Sequence, residues 1–528
     1  MKPVKILVTE KIDEAGLELL RREAQVDVCL GLTPAQLLEV IPEYDALLVR
    51  SATKVTAEVL AAGTRLKVVG RAGVGYDNID VDAATQRGIV VVNARGASSI
   101  AVAEHTMALM LALARHIPQA YTSLRRGEWR RGDFVGVELR DKTLGLIGLG
   151  RIGAEVAKRA IAFEMRVLAY DPFVSTEHAR RLGVTLVSLD ELLAQADFVS
   201  LHTPLTKDTR RLINAAALAR MKPGARLINT ARGELVDSQA LLEALERGHL
   251  AGAALDVFDV EPPPLGPLIL HDRVIAVPHL GASTEEAQVA VAIEVAGHVL
   301  AALRGEPTPG AVNLPYVLPE AMQTLRPYMR LAEALGRFQS QLRHERLESI
   351  ELVYHGEIAE HDTTPLTAAA LMGLLDEISE ERVNLVNATV VARRFGLRVE
   401  ERRSSSPQGN FTNLVEMTVR ADSQSYTVAG TVWQGEPRIV RIDEYWVNFE
   451  PSGNLLITRH RDRPGLIGRV GTILGNADVN ISEMQVGRRV RRGEALMILR
   501  VDEEIPPEAE REIRAIPDIW SVQQVKLP

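Results

Sequence analysis

The feature that most constrains the fold is a glycine-rich turn, GLGRIG, which joins an apolar strand pattern to a helix pattern. Its glycines have the spacing Gly148-x-Gly150-x-x-Gly153. The first permits a tight turn, the second lets the backbone approach a pyrophosphate, and the third lets the helix pack on the strand. The turn therefore predicts a parallel α/β domain that binds a dinucleotide, with the amide groups of Arg151 and Ile152 facing the phosphates.

A carboxylate downstream of this turn indicates which dinucleotide binds. Asp171 ends the next predicted strand, close to the spacing of about 20 residues expected for the acid that holds the ribose hydroxyl groups. A carboxylate there repels a 2′-phosphate, and no arginine follows it directly. We therefore expect NAD rather than NADP. The alternative is a glycine turn in an α/β domain that holds no nucleotide.

The pattern of strands and helices predicts the fold class. Short Val/Ile/Leu-rich strands alternate with helical segments over the first 280 residues, in two series, which is typical of two doubly wound Rossmann-like α/β domains. The helix predicted at Ser283–Arg304 is expected to cross back to the first unit. A Pro- and Gly-rich break at Gly305–Pro319 precedes an α+β intervening domain, and the chain closes with a ferredoxin-like βαββαβ module. The predicted boundaries are 1–97 with 283–315 (substrate-binding domain), 98–282 (NAD-binding domain), 316–452 (intervening domain) and 453–528 (regulatory module).

Composition excludes several classes of function. The formal net charge of −8 argues against a nucleic-acid or anionic membrane surface. The lone cysteine, Cys29, cannot form an intramolecular disulfide, and we expect no metal site. The first residues, MKPVKILVTE, lack the apolar run of a signal peptide, and no uninterrupted apolar run is long enough to span a bilayer. We therefore expect a soluble, cytoplasmic protein.

Three segments downstream of the glycine turn carry candidate catalytic residues. NTARG, LDVFDVEP and VPHLGAST each follow a predicted strand, so they fall at the carboxyl edge of the sheet, where open α/β sheets bind ligands. His279 is suited to take a hydroxyl proton as hydride leaves the same carbon. Glu261 would orient the imidazole, and Arg232 offers a planar fork for a carboxylate. A lone arginine or histidine is more often structural, but three on one edge favour catalysis.

These segments resemble the D-isomer-specific 2-hydroxy-acid dehydrogenases over about residues 1–315. The resemblance implies that Arg232 binds the substrate, that Glu261 is the partner carboxylate and that His279 is the acid/base. It implies a turn at Gly73–Gly75 against the substrate carboxylate; there, Val74 replaces the threonine of some relatives. It also places further residues beside the cofactor: Thr203, Thr230, Ala231, Asp256, Gly281 and Ala282.

Within that family, VRSATKVT, GRAGVGYDNID and the C-terminal module resemble the members that act on 3-phosphoglycerate. A phosphorylated substrate needs positive charge, and Arg50, Ser51 and Arg71 follow predicted strands that face the same cleft. Arg131 is expected to add to this site, from the same or a neighbouring subunit. The alternative is that these are ordinary surface arginines.

The C-terminal segment resembles an ACT domain, a ligand-sensing module. The resemblance implies L-serine as an effector, with His460, Asp462 and Asn480 as contacts, although some relatives have tyrosine where His460 stands. Asn480 would act across a pair of modules. The alternative is a module that only dimerises. In the intervening domain, Arg438 or Arg441 could bind an anion, with solvated surface charge as the alternative.

Three functions remain open from the sequence. The first is an NAD-dependent dehydrogenase that oxidises 3-phosphoglycerate to 3-phosphohydroxypyruvate, the first step of L-serine biosynthesis. The second is another enzyme of the family, of the glyoxylate or lactate type. The third is a regulator that binds NADH without turnover. A homodimer is the expected assembly, and paired modules could extend it to a tetramer.

Overall fold

The computed structural model describes residues 3–315, 317, 319–342, 347–421 and 424–528. Within these ranges lie four β-sheets of five, seven, six and four strands, which follow one another along the chain. The predicted fold class is confirmed: two parallel sheets are followed by a mixed sheet and a small antiparallel one. Residue 316, the predicted start of the intervening domain, lies outside the described residues.

The first sheet is wholly parallel, with the strand order β2-β1-β3-β4-β5. Strands β1, β3 and β4 are Val/Leu/Ile-rich and buried on both faces, which is why they form the centre of a covered sheet. Its elements are β1 (Lys5–Val8), α1 (Glu14–Arg21), β2 (Gln25–Val28), α2 (Pro34–Val40), β3 (Ala46–Val49), α3 (Ala57–Ala62), β4 (Val68–Arg71), α4 (Val81–Gln86) and β5 (Val90–Asn93).

The second sheet carries the glycine turn at the point where its strand order reverses. Its order is β12-β11-β10-β9-β6-β7-β8, and the turn follows β6, beside β9. Such a switch point opens a crevice at the carboxyl ends of the strands, where ligands bind. The elements are α5 (Ser99–Ala114), α6 (Ile117–Arg125), β6 (Thr143–Ile147), α7 (Arg151–Ala162), β7 (Arg166–Tyr170), α8 (Thr176–Arg181), β8 (Thr185–Leu186), α9 (Leu189–Gln195), β9 (Phe198–Leu201), α10 (Ala215–Arg220), β10 (Arg226–Asn229), α11 (Ser238–Glu246), β11 (Gly252–Leu255), α12 (Pro267–Leu270) and β12 (Val274–Ala276).

A long helix, α13 (Glu285–Leu303), returns from the second sheet to the first. Its buried residues, among them Val295 and Val299, share an apolar core with Ile6 and Val8 of β1. By length and composition this helix could cross a membrane, as could α5 and α6 if that bent pair is counted as one span. Because α13 packs on α1, β4 and β5, we interpret it as a core helix of the first unit.

The intervening domain packs two helices on one face of a six-stranded sheet. Helices α14 and α15 approach backbone to backbone at two glycines, since a Cβ on Gly336 would lie 2.1 Å from the Ala370 carbonyl oxygen and one on Gly373 would lie 2.1 Å from that of Glu333. The sheet order is β14-β13-β15-β16-β17-β18. The elements are α14 (Pro319–Leu342), β13 (Leu347–Gly356), α15 (Thr364–Leu375), α16 (Ala388–Arg394), β14 (Arg398–Ser404), β15 (Asn413–Ala421), β16 (Gln424–Trp433), β17 (Glu436–Ile442) and β18 (Tyr445–Phe449).

This domain and the linker before it both hold the end of α4 in the first unit. Asn384 donates from Nδ2 to the carbonyl oxygen of Gly88 at 2.7 Å. Asn313, in the linker, donates to the Thr85 hydroxyl at 3.0 Å and to the Ile89 carbonyl at 2.9 Å. The C-terminal end of α4 is therefore held by two asparagine side chains, one from the segment that closes the first unit and one from the intervening domain.

The last module has the predicted βαββαβ order and a fully antiparallel sheet, β20-β21-β19-β22. One face of the sheet packs on helices α17 and α18, and the other contributes Leu455, Ile457 and Ile498 to the core of the intervening domain. Strand β20 lies at the edge of the sheet. The elements are β19 (Gly453–Arg461), α17 (Leu466–Asn476), β20 (Ile481–Arg488), β21 (Glu494–Val501), α18 (Pro507–Arg514) and β22 (Ile519–Leu527).

Candidate active site

The glycine turn after β6 is shaped by close backbone contacts. Gly148 has a φ of +97°, and a Cβ there would lie 2.7 Å from the His202 carbonyl oxygen. A Cβ on Gly153 would lie 2.3 Å from the Gly148 carbonyl oxygen, so helix α7 can pack against the turn only through glycine. By contrast, a Cβ on Gly150 would meet no atom within 4 Å. The turn therefore leaves open space at Gly150, before the N-terminus of α7, where a pyrophosphate fits.

Asp171 lies next to this turn at the end of β7. Its Oδ2 accepts a hydrogen bond from the Leu149 amide at 2.8 Å, and its Oδ1 accepts one from the Phe173 amide at 2.9 Å. The carboxylate is thus held beside the glycine turn, where the ribose of a dinucleotide is expected. Arg151 and Ile152 open α7, and Thr203 directly follows His202 across the turn. These residues fit NAD in both position and charge.

The turn after β10 contains Arg232 and is stabilised by hydrogen bonds of the Asn229 side chain. The Asn229 amide donates to the Arg232 carbonyl oxygen at 2.7 Å and accepts from the Ala231 amide at 3.1 Å. The Thr230 hydroxyl lies 2.9 Å from that of Thr106 on α5. A Cβ on Gly233 would lie 2.0 Å from the Phe258 carbonyl carbon, so this turn packs directly on the loop after β11 that contains Glu261.

His279 and Glu261 form a hydrogen-bonded pair at the same edge of the sheet. The imidazole Nδ1 lies 2.7 Å from Glu261 Oε2, and Glu261 Oε1 accepts from the Phe258 amide at 3.2 Å. Both side chains remain partly open, with 45% of His279 and 38% of Glu261 exposed. Because Nδ1 is engaged, Nε2 is the ring nitrogen that can exchange a proton with a substrate.

Asp256 is buried and fixes the loop that follows His279, so its carboxylate is not open to a ligand. Its buried carboxylate accepts from the Leu280 amide at 2.6 Å and from the Gly281 amide at 2.9 Å, which fixes the loop directly after His279 and before Ala282. His105 Nε2 lies 3.3 Å from the same carboxylate, although its angle does not meet hydrogen-bond geometry.

Two guanidinium groups lie on the turn at Gly73–Gly75. A Cβ on Gly73 would lie 1.6 Å from Nη1 of Arg71, and a Cβ on Gly75 would lie 1.6 Å from Nη2 of Arg232. The Asn93 amide donates to the Val74 carbonyl oxygen at 2.5 Å and holds the turn in place. Only glycine leaves room for these side chains, so the turn brings the arginine of the first sheet next to that of the second.

The arginines of this cluster repel one another. Burial and, to a smaller extent, the positive charges of Arg232 and Arg50 together lower the pKa of Arg71 to about 10. The buried Nε of Arg71 has no hydrogen-bond partner among the described residues. Asp77 and Glu10 partly offset the three positive charges. A polyanionic ligand would relieve the remaining repulsion and satisfy the buried donor.

Arg50 and Ser51 belong to a loop that is fastened by Glu10. The Glu10 carboxylate accepts from the amides of Arg50, Ala52 and Thr53 at 2.9–3.0 Å. Burial alone would raise the pKa of Glu10, but these hydrogen bonds hold it below its ordinary value. The loop lines a cleft of about 550 Å³ together with Thr9, Lys11 and Leu32.

The structure does not bring Arg131 to this cluster within one chain. Arg131 is exposed in a short turn at Arg131–Asp133 and makes no described contact with the three arginines. The surrounding segment exposes apolar side chains, with 82% of Trp129 and 80% of Val135 accessible. Such a surface is typical of a subunit contact.

Of the three candidate effector residues, His460 and Asp462 are neighbours at the end of β19, whereas Asn480 lies apart from them within one chain. His460 is 2% exposed, and its ring faces Thr458, so it does not reach the surface; burial lowers its pKa. Asp462 follows β19 and accepts from Arg488 Nη1 and the Arg492 amide, both at 3.1 Å. Hydrogen bonds from these two groups lower the pKa of Asp462.

Asn480 lies at the opposite end of that sheet. It precedes Ile481, which pairs with Val501, the residue that also pairs with Asn454 at the start of β19. Because β19 has nine residues, the two ends are about 26 Å apart. In the intervening domain, Arg438 and Arg441 lie near Glu483 and Glu416, at 3.7 Å and 2.8 Å, so both arginines have carboxylate neighbours.

Several contacts of the site were not predicted from the sequence. Asp77, which binds Arg232, lies inside the GRAGVGYDNID segment but has no spacing that marks it. Glu10 and His105 are isolated in sequence and acquire their partners only through the fold. No group of three or more metal-ligating side chains that could hold a metal ion occurs in the part of the chain that the structure describes.

Comparison with known proteins places these sites in a family. Three family models match: the D-isomer specific 2-hydroxyacid dehydrogenase NAD binding domain at residues 107–281, the D-3-phosphoglycerate dehydrogenase intervening domain at 324–443 and the ACT domain at 454–518. The D-3-phosphoglycerate dehydrogenase of Synechocystis sp. is 46% identical, over 99% of this chain and 95% of its own length. That of Methanocaldococcus jannaschii is 47% identical, over 99% of this chain and all of its own.

Solved structures match the first two units. The TT0316 protein of Thermus thermophilus is 40% identical with a TM-score of 0.55, and covers 58% of this chain and 100% of its own. D-lactate dehydrogenase from Aquifex aeolicus, solved with NAD and lactic acid, is 32% identical with a TM-score of 0.53, and covers 57% of this chain and 96% of its own.

Proposed function

The chain belongs to the D-3-phosphoglycerate dehydrogenase family and is an NAD-dependent dehydrogenase of the serine pathway, and we propose that it oxidises 3-phospho-D-glycerate at C2. The product would be 3-phosphohydroxypyruvate. The observation that carries this proposal is the repelling cluster of Arg50, the buried Arg71 and the partly exposed Arg232, the last two packed on the turn at Gly73–Gly75. It offers positive charge for two anionic groups of one small substrate.

The two ends of the substrate would bind to different arginines. Arg232 adjoins Gly233, which packs on Phe258 in the loop that contains Glu261, so Arg232 would hold the carboxylate beside C2. Arg71, with its unpartnered Nε, and Arg50, at the cleft beside Glu10, would hold the phosphate. An enzyme that acts on lactate or glyoxylate has no phosphate to bind and no need for this second pair.

His279 would act as the general base in the oxidation. As the C2–H bond breaks and its electron pair leaves as hydride, the hydroxyl proton passes to His279 Nε2 and the C2–O bond becomes a carbonyl. Glu261, 2.7 Å from Nδ1, would stabilise the resulting imidazolium. Arg232 would polarise the forming carbonyl. NAD, held through its pyrophosphate by the turn at Gly148–Gly153, would supply the hydride acceptor.

The assay that tests this proposal follows NADH absorbance after NAD and 3-phosphoglycerate are mixed with the full chain. Unphosphorylated D-glycerate is the control, and we expect a far lower kcat/KM for it because Arg71 and Arg50 then remain unpaired. Equal turnover of the two compounds would favour the lactate or glyoxylate type. Absence of turnover with any 2-hydroxy acid, despite NADH binding in calorimetry, would leave only the regulator.

We also propose that L-serine is the effector and that it binds between the ACT domains of two subunits. Antiparallel pairing along the edge strand β20 would set Asp462 near the partner's Asn480. Charge supports this pairing, since exposed arginines at 488–492 would face exposed acids at 502–504 of the other copy. Inhibition of the parent by L-serine, lost in Asp462→Ala at unchanged basal rate, is the expected result; unchanged inhibition would contradict it.

A homo-oligomer is part of the same proposal. The exposed apolar segment around Trp129 would form a second subunit contact and bring Arg131 to a neighbouring site. Sedimentation is expected to show a dimer or tetramer, and a monomer at micromolar concentration would contradict both contacts. We place the enzyme in the cytoplasm because of its net charge of −8 and its single free cysteine; recovery in a membrane pellet would contradict that location.

A further inference from the structure

A carboxylate that belongs to none of the roles above contacts the substrate-binding arginine. Asp77 Oδ2 lies 2.8 Å from Nε of Arg232, across the boundary between the first and second units. Asp77 is 53% exposed and Arg232 27% exposed. The contact therefore lies at the open mouth of the site, where neither charge is forced to pair by burial.

The three nitrogens of the Arg232 guanidinium have different partners. Nε donates to Asp77, and Nη1 donates to the Ala231 carbonyl oxygen at 2.6 Å. Nη2 lies over Gly75 and makes no hydrogen bond within the residues that the structure describes. Hydrogen bonds at Nε and Nη1 thus hold the guanidinium in place. The fork between Nη1 and Nη2 is the part that remains available to bind a ligand.

We propose that Asp77 is a positioning residue, which holds Arg232 so that the Nη1–Nη2 fork faces the substrate carboxylate. A long arginine side chain loses rotamer freedom when it binds a ligand, and an existing hydrogen bond at Nε removes part of that loss beforehand. Asp77 would act through Arg232 and touch neither substrate nor cofactor. This inference deepens the proposed function, since it depends on Arg232 binding the substrate carboxylate.

The test compares Asp77→Ala and Asp77→Asn with the parent by steady-state kinetics. Asp77→Ala is expected to raise the KM for 3-phosphoglycerate about tenfold, the effect of losing one charge-assisted hydrogen bond, while kcat changes less than about threefold. Asp77→Asn keeps an acceptor oxygen for Nε and should restore most of the affinity. The dissociation constant for NAD, measured by calorimetry, should stay unchanged in both variants.

The matched control is Asp82→Asn, which removes an exposed carboxylate of α4 that has no contact with Arg232. An unchanged KM in Asp77→Ala would overturn the proposal. So would a lower KM, because it would mean that Asp77 competes with the substrate for the arginine. An Asp77→Asn variant as impaired as Asp77→Ala would show that charge, and not position, is what matters. If the parent itself failed to oxidise 3-phosphoglycerate, the proposed function would fail instead.

Discussion

In the candidate active site, residues from distant stretches of the sequence lie at one edge of a sheet within one chain, whereas in the ACT domain Asp462 and Asn480 lie far apart. Arg232, Glu261 and His279 follow strands β10, β11 and β12, which are parallel neighbours. Asp462 and Asn480 are closer in sequence than Arg232 and His279 but lie at opposite ends of their sheet. Sequence distance is therefore a poor guide to which residues share a site.

Strand direction explains the difference. In a parallel sheet every carboxyl end lies at one edge, so residues that follow successive strands converge. In the ACT sheet, β19 and β20 flank β21 and run in the same direction, so Asn480, which precedes β20, and Asp462, which follows β19, lie at opposite ends. A site that uses both residues needs a second copy of the chain. The two sites should thus respond differently when subunits are mixed.

The largest expected effect is loss of the proposed general base. His279→Ala should lower kcat by about 100- to 10,000-fold, the usual contribution of general base catalysis, and leave NAD affinity unchanged. Rates come from NADH absorbance and affinity from calorimetry. His178→Ala, which removes an exposed histidine of the same unit, is the control. A kcat within about tenfold of the parent would remove His279 from this role.

The next effect concerns the arginine of the first sheet. Arg71→Ala should raise the KM for 3-phosphoglycerate by about 10- to 100-fold, because a buried charge-assisted contact with the phosphate is lost. The KM for D-glycerate should change much less. Arg87→Ala, an exposed arginine of the same unit, serves as the control. Equal losses for both substrates would place Arg71 away from the phosphate.

Mixed oligomers of two variant chains test directly whether each site lies within one chain or between two. Asp462→Ala and Asn480→Ala chains, each insensitive to L-serine, should regain partial inhibition when unfolded together and refolded as mixed oligomers, because one interface then holds an intact site. The same experiment with Glu261→Ala and His279→Ala should restore no activity. Restored catalysis, or inhibition that stays absent, would contradict the division between sites within and between chains.

The smallest expected effect is a pH dependence of stability beneath the glycine turn. Burial lowers the pKa of His202 to about 3, so the unfolded chain binds a proton below pH 6.5 and the folded chain does not. The parent should lose at most about 1.4 kcal/mol of unfolding free energy per pH unit as pH falls from 6.5 towards 3. His202→Gln should lack this slope. Denaturant titrations between about pH 7 and 5 measure the unfolding free energy of both proteins. If the two plots of this free energy against pH were parallel, His202 would not be the cause of the pH dependence.

Most of the fold followed from periodic apolar patterns. Central strands such as β3 and β9 are fully buried and read as continuous apolar runs. Two of the strands that such patterns do not predict are different: β2 is an edge strand with partly exposed residues, and β8 has only two residues. Their pairing is decided by neighbours in the sheet, since neither carries a local pattern that distinguishes a strand from a loop.

The residues of the candidate site likewise fall into those that the sequence predicted and those that it did not. The residues at strand ends were predicted because the glycine turn defines which edge binds a ligand. Asp77 and Glu10 could not be predicted as part of the site, because a single carboxylate belongs to no periodic pattern or motif. The partner of such a carboxylate is decided by the folded structure, and for Asp77 by how two domains meet. His460 lies on the same face of β19 as Leu456, which packs on the module's own helices, and an alternating strand pattern does not tell which of two faces is covered more deeply.

The two asparagine contacts at the end of α4 connect this short helix to the linker and to the intervening domain. Its other end begins at Asp80, just beyond the Asp77 that binds Arg232. A six-residue helix is a stiff rod of about 9 Å. If a tilt of the intervening domain rotated α4 through the Asn384–Gly88 hydrogen bond, the segment at Asp77 and its contact with Arg232 would move as well.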